Sequence, residues 1–162
     1  MKYIRYLVLF LFLLAVSNVV MSQVLKTGIS MVPKAFFGSW RVVSQLVETD
    51  APALFKEKGV DLWNISREND VITLSNPFSG ASAQININSA NANRVVFTKS
   101  GNYDNKLLTD TVSINITGDK FTGVDILKLD TISDVSGKII KSESAKYSIK
   151  GEKIAGQSVL GN

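Results

Sequence analysis

"SAQININ" (residues 82–88) and "TVSINIT" (residues 111–117) decide the fold. In the first, Ile85 and Ile87 alternate with Gln84, Asn86 and Asn88. In the second, Val112, Ile114 and Ile116 alternate with Thr111, Ser113, Asn115 and Thr117. A β-strand turns successive side chains to opposite faces, so a period of two marks a strand with one greasy face. The other face is polar but uncharged. Such strands cover a core on one side and meet water on the other.

The same period runs outward in both directions from these stretches. Phe37 to Glu48 reads as the first strand, with Trp40, Val42 and Leu46 on one face. Val60 to Ser66 reads as another, with Trp63 and Ile65 on one face. Between them, "DAPALFKEKG" (50–59) reads as one short helix, with Asp50 as its cap, Pro52 in its first turn and Gly59 at its end. Turn chemistry punctuates the rest. Asn69-Asp70, the asparagines of "INSANANRVVF", Gly118-Asp119 and Gly151-Glu152 each sit between apolar runs and tolerate the positive φ of tight hairpins. Gly118-Asp-Lys-Phe-Thr-Gly123 and Gly151-Glu-Lys-Ile-Ala-Gly156 share one pattern, read as one hairpin used twice. Short links make consecutive strands antiparallel neighbours. The expectation is an all-β, antiparallel up-and-down β-barrel of eight or nine strands with one short helix after the first, since closure removes exposed edges. An open sandwich is the alternative.

The chain has 162 residues, enough for one domain. Lys2 and Arg5, the apolar run "LVLFLFLLAV" (7–16) and the polar "SNVVMSQ" follow the order of a secretory signal peptide, with Val20 and Ser22 suited to cleavage after Ser22. A spanning helix needs about 20 apolar residues, and Ser17 and Asn18 interrupt this run. The domain reading is therefore 1–22 signal peptide, 23–35 a loosely held arm, and 36–162 the barrel. Losing Lys2 and Arg5 takes the formal charge from +4 to +2, too mixed in sign to imply nucleic acid. The chain has no cysteine, which mildly favours a bacterial periplasmic or secreted protein large enough to fold without disulfides. Asn64-Ile-Ser66 and Asn115-Ile-Thr117 would matter as glycosylation patterns only on a eukaryotic secretory route.

Chemistry is sparse. With neither histidine nor cysteine, the usual general base, the commonest metal ligand and the thiol nucleophile are missing. No catalytic residue, metal or cofactor is expected. Asp125, Asp130 and Asp134 suit a solvated face better than a paired-carboxylate site. One feature is less ordinary. In "IIKSESAKYSI" (139–149), Lys141 and Glu143 share a face with Ile139, Ala145, Tyr147 and Ile149, while Asp125 shares one with Phe121, Leu127 and Leu129. Either a bulge or twisted strand end lets these charges reach water, or they form a polar patch inside the barrel. In the second case Tyr147 and Lys141 would grip the polar head of an apolar ligand, with Glu143 and Asp125 nearby.

"FFGSWRVVSQ" (36–45) resembles the opening strand of lipocalin-like and fatty-acid-binding-protein-like barrels, which carry a glycine, one residue, then a tryptophan: here Gly38, Ser39 and Trp40. The resemblance implies that Trp40 packs across the closed end as a structural plug and that Gly38 lets the chain pass close by. The match in motif covers these three residues. The Thr-Asp-Tyr signature of many animal lipocalins is absent from "GNYDNK" (101–106), and Lys150 or Lys153 must stand in for the late-strand arginine that stacks on the tryptophan. The implied function is non-catalytic binding of a small apolar or amphipathic molecule, with a solid-cored module meeting a protein partner as the competitor.

Overall fold

The computed structural model describes residues 29–156 and 158–160. The signal peptide reading (1–22) and residues 23–28 of the 23–35 arm lie outside them. Nine strands follow in order: β1 Gly38–Thr49, β2 Lys58–Glu68, β3 Val71–Ser75, β4 Ser82–Ala90, β5 Arg94–Tyr103, β6 Lys106–Thr117, β7 Lys120–Ile132, β8 Ile139–Ala155 and β9 Ser158–Leu160. Strands β2 to β7 each pair with the next, and β1 pairs with both β2 and β8. Every one of those pairings is antiparallel, so eight strands close into an up-and-down barrel. β9 runs parallel to Ser66–Glu68 of β2, just past the point where Gly38 ends the β1 pairing at Ile65.

The alternation in the opening stretches is the alternation of burial. Ile85 on β4 and Val112, Ile114 and Ile116 on β6 are buried, while their polar neighbours face out. Asn69 (φ 53°) and Gly118 (φ 59°) turn two of the hairpins as their residue types demand.

Two expectations fail, each for a visible reason. There is no helix after β1. Residues 51–55 make a single turn, with the N–H groups of Leu54 and Phe55 both donating to the Ala51 carbonyl. Asp50 does not cap it, because its carboxylate accepts from the Ser144 N–H (2.7 Å) and Ser144 Oγ (3.0 Å) on β8. By Glu57 the chain is back in the sheet, accepting from the Leu46 N–H. Among the described residues, helical turns occur only before β1, at 29–30 and at Lys34–Phe36.

Gly151-Glu152 is not a hairpin either; it lies within β8, opposite Val42 on β1 and Phe121 on β7. A β-carbon built on Gly151 would overlap the Phe121 ring. The glycine is there to admit an aromatic ring. The repeated pattern is therefore one turn and one packing site. The turn into β8 is made instead by residues 133–138, with Gly137 at φ 66°.

That ring belongs to a chain of aromatic contacts filling half the barrel. Phe121 packs on Trp40 (ring centres 5.1 Å apart) and stacks on Trp63 (5.8 Å). Trp63 meets Phe97 edge-on at 6.2 Å, and Phe97 meets Phe36 at 5.7 Å. The residues before β1 fold over this end: Val32, Phe36 and Phe37 are buried, with Ile29 and Ala35 packed against the core. The Trp40 Nε1–H donates to the Phe36 carbonyl at 3.0 Å, so the buried indole has its partner. Gly38, at φ +119°, runs so close to Ala155 and Gly156 that a β-carbon would overlap their carbonyl oxygens.

Replacing Gly151 with alanine should therefore cost about 1–3 kcal/mol in denaturant unfolding, the usual range for overpacking. Most of that cost should vanish when Phe121→Ala is the background. An equal loss in both backgrounds would show that the ring is not what Gly151 accommodates.

Candidate functional site

The opposite end of the barrel is built differently. On five strands the inward position next to the aromatic layer turns polar: Asp61 below Trp63 in sequence, Lys99 beyond Phe97, Asp110 before Val112, Asp125 beyond Phe121 and Gly123, and Tyr147 before Ile149, while Leu74 on β3 and Ala83 on β4 stay apolar. The register joins them. Lys99 stands opposite Asp110, Asp125 stands opposite Tyr147, and Asp110 and Asp125 are diagonal neighbours on β6 and β7. Diagonal side chains on one face lie roughly 7–8 Å apart, within reach of a shared group.

Two recesses open here. The larger, about 400 Å³, is lined by Asp61, Leu74, Ala83, Lys99, Leu108 and Asp110 and walled by the β3–β4 loop. Asn76 holds that loop: its Oδ1 accepts from the N–H groups of Phe78 (2.9 Å) and Ser79 (3.2 Å), and its Nδ2 donates to Asp61. Asp61 also accepts from the Trp63 Nε1–H at 3.1 Å, which ties the mouth to the aromatic layer. The second recess, about 340 Å³, is lined by Ser44, Phe55, Lys58, Asp125, Leu127 and Tyr147. The Tyr147 hydroxyl donates to the Lys56 carbonyl at 2.9 Å and so pins the β1–β2 loop as its wall. Burial, then the charge of Asp125, pushes the Tyr147 phenol up.

The electrostatics centre on two carboxylates. Asp110 is only 4% exposed, and its Oδ2 is ion-paired with Lys99. Its Oδ1 is buried and has no hydrogen-bond partner, and the same is true of Asp125 Oδ1. Burial, followed by repulsion from Asp110 and partly offset by Lys99, raises the Asp125 carboxyl to about 7.

Of the four residues picked out in sequence for a ligand, Asp125 and Tyr147 face each other inside the mouth. Lys141 and Glu143 form a separate pair at the rim, Nζ to Oε1 at 2.6 Å, with the lysine side chain 63% exposed. A register shift where Thr131 and Ile132 meet Lys141 and Ile139 lets that strand end bend outward. Six residues of extended chain, roughly 20 Å, separate Lys141 from Tyr147, so the two do not converge on one head group. Asp130 lies on the other face of β7, held by Lys128 and Ser142, whose hydrogen bonds lower its carboxyl below the usual range. Asp61, Lys99 and Asp110 were missed. The parity that singled out Asp125 applies to them equally, since Lys99 follows Val95 and Phe97, and Asp110 precedes Val112 and Ile114.

At the other end, Lys153 takes the place expected for a late-strand cation. Its Nζ lies 4.6 Å from the centre of the Trp40 ring and donates to the carbonyls of Ala35 (2.6 Å) and Phe37 (3.1 Å). Burial lowers its amine below the usual lysine range. Lys150 is exposed. Among the described residues, no three His, Cys, Asp or Glu side chains are placed to hold a metal ion. No helix there is long and apolar enough to cross a membrane. Comparison with protein-family models, with curated proteins and with solved structures finds no match to this chain. The eight-strand barrel is compatible with a calycin-like fold on its own geometry.

The raised Asp125 carboxyl sets a pH dependence. Between its ordinary value of 3.8 and about 7, the folded protein holds a proton that the unfolded chain releases. Folding stability therefore falls as pH rises through that window and levels off above it. The lowered carboxyls of Asp50 and Asp130 act on the acid side, where their stabilisation is lost below the ordinary 3.8. Thermal melts should show lower stability at pH 8 than at pH 5. Asp125→Asn should raise the midpoint at pH 8 and flatten the profile; a profile unchanged by this substitution would remove Asp125 as its source.

Proposed function

We propose that the protein is an exported, non-catalytic, lipocalin-like barrel that binds a small amphipathic molecule at its mouth, with Gly38 and Trp40 forming the plug of the other end. One observation carries the reading. Above a floor of packed aromatic rings, a recess of about 400 Å³ sets Leu74, Ala83 and Leu108 among polar groups that include Asp61, Asn76, Lys99, Tyr103 and Asp110, a mixed lining suited to an amphipathic molecule. Ligand sites are mostly apolar concavities of roughly 300–1,000 Å³ with a small number of orienting polar groups. The lack of histidine and cysteine argues against catalysis, and the basic and apolar opening of the sequence supports export to the periplasm or medium. The Gly38-Ser39-Trp40 pattern and the placement of Lys153 over Trp40 support the lipocalin-like reading.

The competing reading is a protein-interaction module. Its support is the solid lower half together with an exposed apolar pair, Val43 opposite Val60, on the outer face of β1 and β2. Binding of a neutral solvatochromic naphthalene dye separates the two. A carrier gives saturable fluorescence enhancement that Ala83→Phe, which fills the recess, reduces by roughly tenfold or more without lowering the melting temperature. No saturable binding, and no small molecule co-purifying in native mass spectrometry, would favour the interaction module.

A further inference from the structure

We infer that the mouth recess selects ligands whose polar head is a primary ammonium group rather than a carboxylate. This rests on the ligand-binding reading and adds the chemistry of the ligand. The two polar atoms left without partners in the buried mouth, Asp110 Oδ1 and Asp125 Oδ1, are both hydrogen-bond acceptors on carboxylates. A buried acceptor without a partner costs free energy that an arriving donor recovers. An ammonium brings three donors and no acceptor, so it can satisfy Asp110 Oδ1 while Oδ2 keeps its bond to Lys99.

Charge points the same way. The charged side chains lining the larger recess are Asp61, Asp110 and Lys99, with Asp125, which lines the second recess, diagonal to Asp110. One cation stands in the larger recess against two carboxylates. Lys99 is already engaged by Asp110, so an entering carboxylate would have to compete with a buried aspartate for it. An ammonium beside Asp110 and Asp125 instead relieves the repulsion between them. Lys56 on the loop and Lys58 at the start of β2 line the second recess and are exposed, and Tyr147 there has its hydroxyl occupied by the Lys56 carbonyl. Leu74, Leu108 and Ala83 offer a short apolar body its contact surface.

The test is calorimetric titration at pH 8, above the raised Asp125 value of about 7, with three probes sharing one alkyl body: octylamine, octanol and octanoate. Octylamine should bind roughly tenfold tighter than octanol, and octanoate more weakly than both. Asp110→Asn should bring octylamine down to the level of octanol, a loss roughly tenfold larger than any it causes in octanol. Lys99→Met should move octylamine the other way, tightening it several-fold, because the competing cation is gone. Octanol or octanoate binding as tightly as octylamine would overturn the inference and leave the carrier reading standing. Asp110→Asn weakening octylamine and octanol alike would overturn it too, since Asp110 would then act only on the shape of the site. Failure of all three probes to bind would overturn both. Should Asp110→Asn lose its near-ultraviolet circular dichroism, the order of the three probes on the unaltered protein decides, with Asp125→Asn expected to weaken octylamine selectively.

Discussion

The barrel depends on one ring fitting over one missing side chain. Phe121 on β7 lies across Gly151 on β8, and from there it reaches both Trp40 on β1 and Trp63 on β2. Those four strands span the seam where the sheet meets itself, since β1 pairs with β8 on one side and β2 on the other. Where a small barrel has no cavity, its inward side chains fill the interior at close to crystal density. Large rings from three of these strands could not share that space if the fourth also carried a β-carbon there. Removing one makes room, and the glycine's conformational cost in a strand is offset by burying an aromatic surface.

Below that contact the interior is finished, and this frees the other end from a structural task. The residues before β1 cover the floor, and Lys153 ties them down by donating to two of their carbonyls while its charge rests against the Trp40 ring. With the core complete on one side, the mouth can hold groups that a core would reject. Buried ion pairs such as Lys99 with Asp110 are weak contributors to stability, and similar-sized apolar side chains often do better. Such a layer is where a protein places groups for something other than holding itself together.

The sequence displayed the period-two code openly, and from it came the strands, most of the hairpins and the closure. The code was silent where a residue type serves two purposes. Gly151 has the neighbours of a turn glycine, and only the ring opposite shows its purpose. Asp50 looks like a helix cap because aspartate, proline and glycine at that spacing are cap chemistry, but Ser144 on a distant strand claims the carboxylate first. The mouth was half visible. Asp125 and Tyr147 stood out because their neighbours Leu127 and Ile149 are conspicuous, while Asp110 and Lys99 carry the same parity and drew no reading. Their partnership is across strands, and no local pattern announces a cross-strand pair.

Chance scatter would not produce the layering seen in this interior. On β1, β5 and β7 the inward positions pass from large apolar side chains to small or polar ones toward the C-terminal end: Val42 to Ser44, Phe97 to Lys99, Phe121 to Asp125. On β2, β6 and β8 the same change runs toward the N-terminal end: Trp63 to Asp61, Val112 to Asp110, Ile149 to Tyr147. Adjacent strands are antiparallel, so these opposite directions along the chain are one direction in space. Six strands therefore change character toward the same opening, although their sequences reach it from opposite ends. A requirement acting on each strand alone, such as solubility or turn formation, has no means of producing that agreement. A requirement acting on the opening itself does: there the polar positions stand beside Leu108 and Leu127, the mixed setting that the proposed amphipathic ligand needs.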